Sequence, residues 1–237
     1  MIKLYLGLAL SLLLALAVAP VALADTPSPC TQESLDNYLV SGFTCSIGNL
    51  DFSDFTYADA NMPASQVTVV PGAPPTANFP DGPGFNFQAN FLAAGANATT
   101  DADIGFVVTA APGTTIDDIY IDFGNVVTAN GGIAIYNEQF CMDGKSDCQL
   151  YVQNPGTAST ADISLVGNTN FKGPITQLTI NKDLGLFAGS ASNGLAAVSY
   201  FGNEYSIVPE PRGVSIVLAA GLLAGLVIFR RRRVAQS

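Results

Sequence analysis

The chain has 237 residues, contains neither histidine nor tryptophan, and carries a formal net charge of −10 at pH 7. Without an imidazole to move protons near neutral pH, Ser-His-Asp and Cys-His catalysis are excluded. Residues 25–208 hold three lysines against 18 acidic residues, and so acidic a body repels the phosphates of a nucleic acid, which is therefore not expected as a partner.

The first 24 residues have the pattern of a secretory signal peptide. Lys3 supplies a positive charge, Leu4–Val18 form a short apolar run, and Ala22–Ala24 place small residues at the cleavage position. The alternative is an uncleaved N-terminal membrane helix, for which the apolar run is short. We therefore predict an exported chain whose folded body spans residues 25–207.

Four cysteines follow the predicted signal peptide: Cys30, Cys45, Cys141 and Cys148. An even number of cysteines in an exported chain indicates disulfides, and four allow three pairings. We predict Cys30–Cys45 and Cys141–Cys148, because the members of each pair are close in sequence. The spacings and the absence of histidine argue against zinc.

One short helix is predicted near the start of the body, in "TQESLDNYLVSG". Thr31 can cap its N-terminus, Glu33 lies in its first turn, and Leu35 and Leu39 share a face. Gly42 is a plausible C-terminal stop. We expect no second helix before residue 212.

The rest of the body reads as short strands between turns rich in glycine and proline. Apolar residues alternate with polar ones, which indicates sheets with one buried face. With no crossover helices, the pattern predicts an all-β fold, an antiparallel β-sandwich or jelly-roll-like domain. The residues predicted to face the core are Phe85, Phe87 and Phe91; Ile104, Phe106 and Val108; Ile119, Ile121 and Phe123; Leu150 and Val152; Ile163 and Leu165; and Leu178 and Ile180.

Carboxylates are the remaining candidates for chemistry, because paired Asp or Glu residues can hydrolyse glycosides and oxygen ligands can hold calcium. Asp143 and Asp147, in a loop that Cys141–Cys148 would close, are weak calcium candidates. Two other acidic clusters are Asp101 with Asp103, and Asp117 with Asp118 and Asp122. Most of these side chains are expected to be solvated, and neither a metal nor another cofactor is predicted.

The C-terminal segment has the pattern of a membrane anchor. Val214–Phe229 are sixteen apolar or glycine residues, which as a helix rise roughly 24 Å. That is short of the ~30 Å hydrocarbon core. Four arginines directly follow this run, and the positive-inside rule places them in the cytoplasm. The predicted stop consists of Arg230, Arg231, Arg232 and Arg233.

A proline-rich motif precedes this span, and the three parts together resemble the PEP-CTERM sorting signal of Gram-negative bacteria. The motif residues are Val208, Pro209, Glu210 and Pro211. The resemblance implies that residues 208–237 form a signal read by an exosortase, which would cleave the tail and release the protein from the inner membrane. Arg212 departs from the small polar residue that is usual there.

The resemblance implies an exported surface or matrix protein, structural or adhesive in a biofilm, with exopolysaccharide as a possible contact. The body would face the periplasm while the anchor holds it, and would then reach the cell surface or the medium. No enzymatic activity is expected. Two alternatives stay open: a carbohydrate-active enzyme that uses paired carboxylates, and a ligand-binding module such as an ice-binding protein.

Overall fold

A computed structural model describes residues 27–59, 61–72, 82–142, 148–152, 159–165 and 174–209. The predicted signal peptide, Glu210 and Pro211, the predicted membrane span 214–229 and the four arginines lie outside these residues. Within them, most of the chain is β-strand, arranged in two sheets.

Sheet A is antiparallel except where its first strand pairs in parallel with the next. In the middle of the sheet, three long strands from distant parts of the sequence lie side by side. In spatial order, its strands are β1 (Ser28–Pro29), β3 (Thr44–Ile47), β4 (Leu50–Asp59), β7 (Thr99–Ala110), β13 (Gln177–Phe187), β10 (Ile133–Met142) and β11 (Cys148–Val152).

Sheet B is antiparallel throughout the described strands, and its longest strand, β14, lies in the middle. In spatial order, the strands are β12 (Ser159–Ser164), β8 (Thr114–Gly124), β14 (Leu195–Pro209), β6 (Gly84–Ala94), β5 (Thr68–Gly72) and β2 (Glu33–Ser34); β9 (Val127–Ala129) also pairs with β14.

The two sheets face each other across a core rich in aromatic side chains. Phe52 of sheet A lies edge-on against Phe85 of sheet B, with their ring centroids 4.5 Å apart. Near the other end of the core, the ring of Tyr136 on β10 stacks at 5.2 Å on that of Phe123 on β8. Burial of large apolar side chains supplies the main favourable term in folding. The structure confirms the predicted mainly-β fold and β-sandwich.

The short N-terminal helix is present, but its predicted start is wrong. Helix α1 spans only Leu35–Tyr38, and Ser34 occupies the N-cap position without a side-chain hydrogen bond. Thr31 instead donates its hydroxyl to Glu33, because residues 33–34 are extended and pair with β5. Gly42 follows the helix at a φ of 76°, as expected of a stop. A single 3-10 turn, Ala64–Gln66, is the other helical element in the described ranges.

The predicted core faces are correct on the central strands. The predicted side chains of β6, β7, β8 and β13 are buried, as is Leu165, while Ile163 is half-buried. The prediction is wrong for β11, where Leu150 is 60 % exposed and Val152 is 58 % exposed. This strand pairs with β10 so that Leu150 lies beside Gln139 and Val152 beside Asn137, and these β10 residues point away from the core.

Both predicted disulfides are confirmed. Cys30 pairs with Cys45, and Cys141 pairs with Cys148. The first joins the start of the body to β3, where Cys45 is buried. The second joins directly opposed residues of β10 and β11. Disulfides persist in oxidising compartments, so the pair of bridges indicates a periplasmic or extracellular location.

We predict that the two disulfides contribute unequally to stability. A bridge stabilises mainly by restricting the unfolded chain, and the effect grows with loop length. The sequence separation is 15 for Cys30–Cys45 and 7 for Cys141–Cys148. Replacing Cys30 and Cys45 by serine should lower the free energy of unfolding by about 3 kcal/mol in urea titrations, and the same change at Cys141 and Cys148 should cost less. An equal loss would contradict this ranking.

Candidate functional site

A groove of about 460 Å³ lies on the outer face of sheet A. It is called the sheet A groove below. Strand register places its residues in two rows, of which the first crosses five strands and the second crosses three. The first row is Thr56, Gly105, Asn181, Gln139 and Leu150, and the second contains Asp103, Asp183 and Asn137.

Gly105 makes the depression in the middle of the first row. It lies between Thr56 on β4 and Asn181 on β13. A Cβ at this position would lie 2.4 Å from the Thr56 hydroxyl oxygen and 3.0 Å from the Asn181 side-chain oxygen. Glycine therefore lets these two polar groups approach each other across β7, and a larger residue would fill the groove floor.

Acidic side chains occupy the second row, and a further one, Asp101, lies next to that row on β7. Asp103 and Asp183 are directly opposed on neighbouring strands, and the Asn137 amide donates a 3.1 Å hydrogen bond to Asp183. Partial burial raises the pKa of Asp103, and the nearby charges of Asp183 and Asp101 raise it further. Partial burial also raises the pKa of Asp101, again with a contribution from Asp183. The groove therefore has a negatively charged end.

We predict that Asp103→Asn stabilises the protein at neutral pH. A carboxyl whose pKa is raised by folding stabilises fully below its unfolded pKa, here 3.8, and that stability is lost as pH rises through the folded pKa. Removing the charge should raise the melting temperature at pH 7 by about 1–2 °C and leave it nearly unchanged at pH 3. A gain at pH 3 equal to that at pH 7, or one insensitive to 0.5 M NaCl, would contradict the electrostatic cause.

An apolar margin borders the polar floor of the groove. Leu150 and Val152 of β11 are well exposed, and Ile135 of β10 is 37 % exposed on the same outer face. The pairing of Leu150 with Gln139 puts an apolar side chain directly beside an amide. The groove therefore offers hydrogen-bonding groups next to an apolar surface.

The acidic clusters noted in the sequence have different positions. Asp101 and Asp103 lie at the groove, whereas Asp118 and Asp122 alternate with the core residues of β8 on sheet B. Asp143 and Asp147 lie outside the described residues. Among the residues described, no group of three or more His, Cys, Asp or Glu side chains is placed to hold a metal ion.

The first two residues of the predicted sorting motif belong to a strand. Val208 and Pro209 end β14, opposite Thr115 and Thr114 of β8. Glu210 and Pro211 lie beyond the described residues. No helix in the described part of the chain has the length and apolar character needed to cross a membrane.

A buried polar cluster, here called the interior cluster, was not predicted from the sequence. Lys182 of β13 makes a 2.8 Å ion pair with Glu138 of β10, and both side chains have no exposed surface. Tyr136 donates a hydrogen bond to Glu138 and accepts one from Lys182. From sheet B, the Asn203 amide donates a 2.7 Å hydrogen bond to the other Glu138 oxygen. The alternation of the sequence contained the signal, since Lys182, Glu138 and Asn203 all take core-facing positions in their strands.

Comparisons with known proteins assign no family to this chain. No protein-family model matches it, and no curated protein matches it. Among solved structures, TmCBM61 in complex with β-1,4-galactotriose is 12 % identical with a TM-score of 0.33, over 67 % of this chain and 90 % of that one.

Two further structures have lower TM-scores. The enzymatically active domain of tailspike protein 4 of bacteriophage CBA120 is 13 % identical with a TM-score of 0.29, over 65 % of this chain and 20 % of that one. A family 11 carbohydrate-binding module from Clostridium thermocellum, in complex with a mixed-linked tetrasaccharide, is 11 % identical with a TM-score of 0.24, over 74 % of this chain and 96 % of that one. At these TM-scores, the likenesses assign neither ligand nor activity to this chain.

Proposed function

We propose that this protein is an exported surface or matrix protein that binds an extracellular polysaccharide through the sheet A groove. The observation that carries the proposal is the composition of the groove: amide and carboxylate side chains in two rows, beside an exposed apolar margin. The two disulfides support export, because disulfides persist in oxidising compartments.

The chemistry of the groove suits a sugar chain. Asn137, Gln139 and Asn181 each carry an amide that both donates and accepts hydrogen bonds. Sugar hydroxyls do the same, so neighbouring amides can bind neighbouring hydroxyls. Asp103 and Asp183 add acceptors, and Leu150 offers an apolar surface to the C–H face of a sugar ring. The rows cross several strands, which suits an extended ligand rather than a single small molecule.

The test is binding of the purified full chain to a panel of soluble bacterial and plant polysaccharides, measured by affinity electrophoresis. For any polysaccharide that is bound, Gln139→Ala should weaken binding by about 2- to 10-fold, the value of one hydrogen bond. Gln88→Ala is the matched control, because Gln88 is an exposed glutamine on β6 of the opposite sheet. Binding that responds equally to both changes, or no binding to any polysaccharide, would contradict the proposal.

The C-terminal segment supports the second part of the proposal, in which an exosortase reads the motif from Val208 to Pro211 and removes the anchor. The mature protein should then lack the predicted span Val214–Phe229 in a host that has the exosortase, and should keep it in a strain from which the enzyme has been deleted. Mass spectrometry of the intact exported protein distinguishes the form that lacks the span from the form that keeps it. The same C-terminus in both strains would contradict processing and leave a permanent anchor.

One observation favours a second candidate, glycoside hydrolysis. Asp103 and Asp183 are directly opposed in the groove, and the raised pKa of Asp103 is the property of a general acid. Release of reducing ends from a bound polysaccharide, abolished in both Asp103→Asn and Asp183→Asn, would establish this activity. Binding without release in the unaltered protein would exclude it for that polysaccharide.

A further inference from the structure

Three groups with complementary reactivity meet in the interior cluster. The two oxygens of Glu138 bind different partners, the Lys182 ammonium at 2.8 Å and the Asn203 amide at 2.7 Å. The amine and the amide are thus held against a single carboxylate, although they come from opposite sheets. This arrangement brings a nucleophile, an acyl group and a proton carrier together before any ligand binds.

The surroundings of these groups exclude water. Lys182 and Asn203 are each 1 % exposed, and Glu138 is fully buried. Aromatic rings flank them: Tyr136 stacks on Phe123 and lies 5.6 Å from the ring of Phe201. Burial lowers the pKa of Lys182, which favours the neutral amine. A neutral, desolvated lysine is a nucleophile, whereas a hydrated ammonium is not.

The acyl group is also incompletely bonded. The side-chain oxygen of Asn203 is buried and has no hydrogen-bond partner among the described residues. An orphaned carbonyl oxygen is costly in the core. Glu138 could donate a hydrogen bond to this oxygen after two changes. The carboxyl would first take a proton from Lys182, and the Asn203 amide would rotate so that its oxygen faces Glu138. Such a hydrogen bond would polarise the carbonyl toward attack.

We propose that Lys182 and Asn203 condense into an intramolecular isopeptide bond, with Glu138 as the catalytic residue that moves the protons. The proton of the Lys182 ammonium passes to Glu138, and the free amine nitrogen attacks Cγ of Asn203. A C–N bond forms, and the carbonyl electron pair moves to Oδ1, which Glu138 stabilises. Reforming the carbonyl breaks the Cγ–Nδ2 bond.

The reaction balances without a further reactant. The departing Nδ2 takes the second amine proton through Glu138 and leaves as ammonia, and Glu138 ends protonated. The products are one secondary amide and one ammonia, with no oxidation or reduction. The Tyr136 hydroxyl, which contacts both Lys182 and Glu138, is a positioning residue that orients the amine.

The bond would join the two sheets covalently. Lys182 belongs to β13 of sheet A and Asn203 to β14 of sheet B. Neither disulfide does this. Cys30 directly follows β1 and is bonded to Cys45 of β3, whereas Cys141 of β10 is bonded to Cys148 of β11, and these four strands all belong to sheet A. A cross-link of this kind also resists reducing agents.

Trypsin digestion of the full chain tests the proposal, because an acylated lysine is not cut. An unlinked chain would be cleaved after Lys172, Lys182 and Arg212, which gives separate peptides 173–182 and 183–212. The linked chain should give one peptide, 173–212, about 17 Da lighter than its linear mass through loss of ammonia. If the tail has been processed, the peptide ends at the new C-terminus.

A second protease that cuts between the two residues, after Phe187 or Tyr200, should leave the pieces joined. This excludes a missed cleavage and excludes ammonia loss by succinimide formation at Asn193. Complete release of peptide 173–182 from the unaltered protein would overturn the proposal and leave the interior cluster as a buried ion pair.

The variant Glu138→Gln tests the catalytic role, because it keeps the shape of the side chain but replaces one accepting oxygen by an NH2 donor and cannot carry the proton. It should release peptides 173–182 and 183–212, while the control Gln88→Ala should stay linked. A linked Glu138→Gln protein would overturn the role of Glu138. Should this variant fail to fold, the digest of the unaltered protein still decides whether the bond exists.

Discussion

Phe85→Ala is expected to lower the free energy of unfolding by about 3–5 kcal/mol, the usual cost of removing a buried phenylalanine. Phe85 has no exposed surface and lies where the two sheets meet the N-terminal helix. Its ring contacts Phe52 and Phe106 of sheet A and Tyr38 of the helix, with centroids 4.5, 6.1 and 5.8 Å apart. Few neighbours can move to fill the cavity, because they are themselves packed aromatic rings.

Urea titration followed by circular dichroism measures this loss. Leu92→Ala is the matched control, since Leu92 lies on the same strand but is 41 % exposed. The control should cost less than about 1 kcal/mol. Similar losses for both variants would show that the packing around Phe85 is looser than the ring contacts indicate.

Lys182→Met is expected to cost at least about 3 kcal/mol, because it leaves the Glu138 carboxylate buried without its counter-charge. The remaining hydrogen bonds from Tyr136 and Asn203 offset only part of that penalty. Methionine fills most of the volume of the lysine side chain, so packing contributes little to the loss, and the absence of the proposed isopeptide bond adds to it.

The double variant Lys182→Met with Glu138→Gln isolates the charge effect. The glutamine is neutral and can still bond to Asn203, so in the same urea titration the double variant should be at least about 1.5 kcal/mol more stable than Lys182→Met. Neither variant can form the proposed isopeptide bond, and their difference is therefore independent of it. A double variant less stable than Lys182→Met would contradict a charge penalty and point to packing.

Alternation in the sequence was sufficient to predict the core strands. Phe85, Phe87 and Phe91 follow a period of two, and the buried face of a sheet requires that period. The predicted helix start was wrong, because Glu33 and Ser34 gain backbone pairing with β5 as an extended segment. The capping signal at Thr31 depends only on residues nearby in the sequence, so it contains no information on a strand partner as distant as β5.

The error at β11 could have been avoided. Phe140 and Met142 are the apolar residues that flank Cys141, so Cys141 points outward. Directly opposed residues of an antiparallel pair share a face. Cys148 therefore points outward too, and so do Leu150 and Val152, two and four residues further on.

The sheet A groove could not be predicted from the sequence, and the reason differs from those for the helix start and for β11. Its rows depend on how β4, β7, β13 and β10 are aligned, and these strands are distant in sequence. A bulge between Ser53 and Thr56 sets which β4 residue lies beside Gly105. Asp101 and Asp103 were noted only as a pair, and Asp183 joins them through the register of β13.

The placement of β14 determines how the domain would bear mechanical force. A pull on the chain beyond Pro209 acts along this strand, which is held on both sides by β8 and β6. Hydrogen bonds of an antiparallel ladder lie across the strand direction, so such a pull loads them together in shear rather than one at a time. A ligand held in the groove would pull on sheet A instead, and the load would then cross the interface between the sheets, where Asn203 contacts Glu138. A covalent link at that point would carry tension that side-chain packing would otherwise have to bear alone.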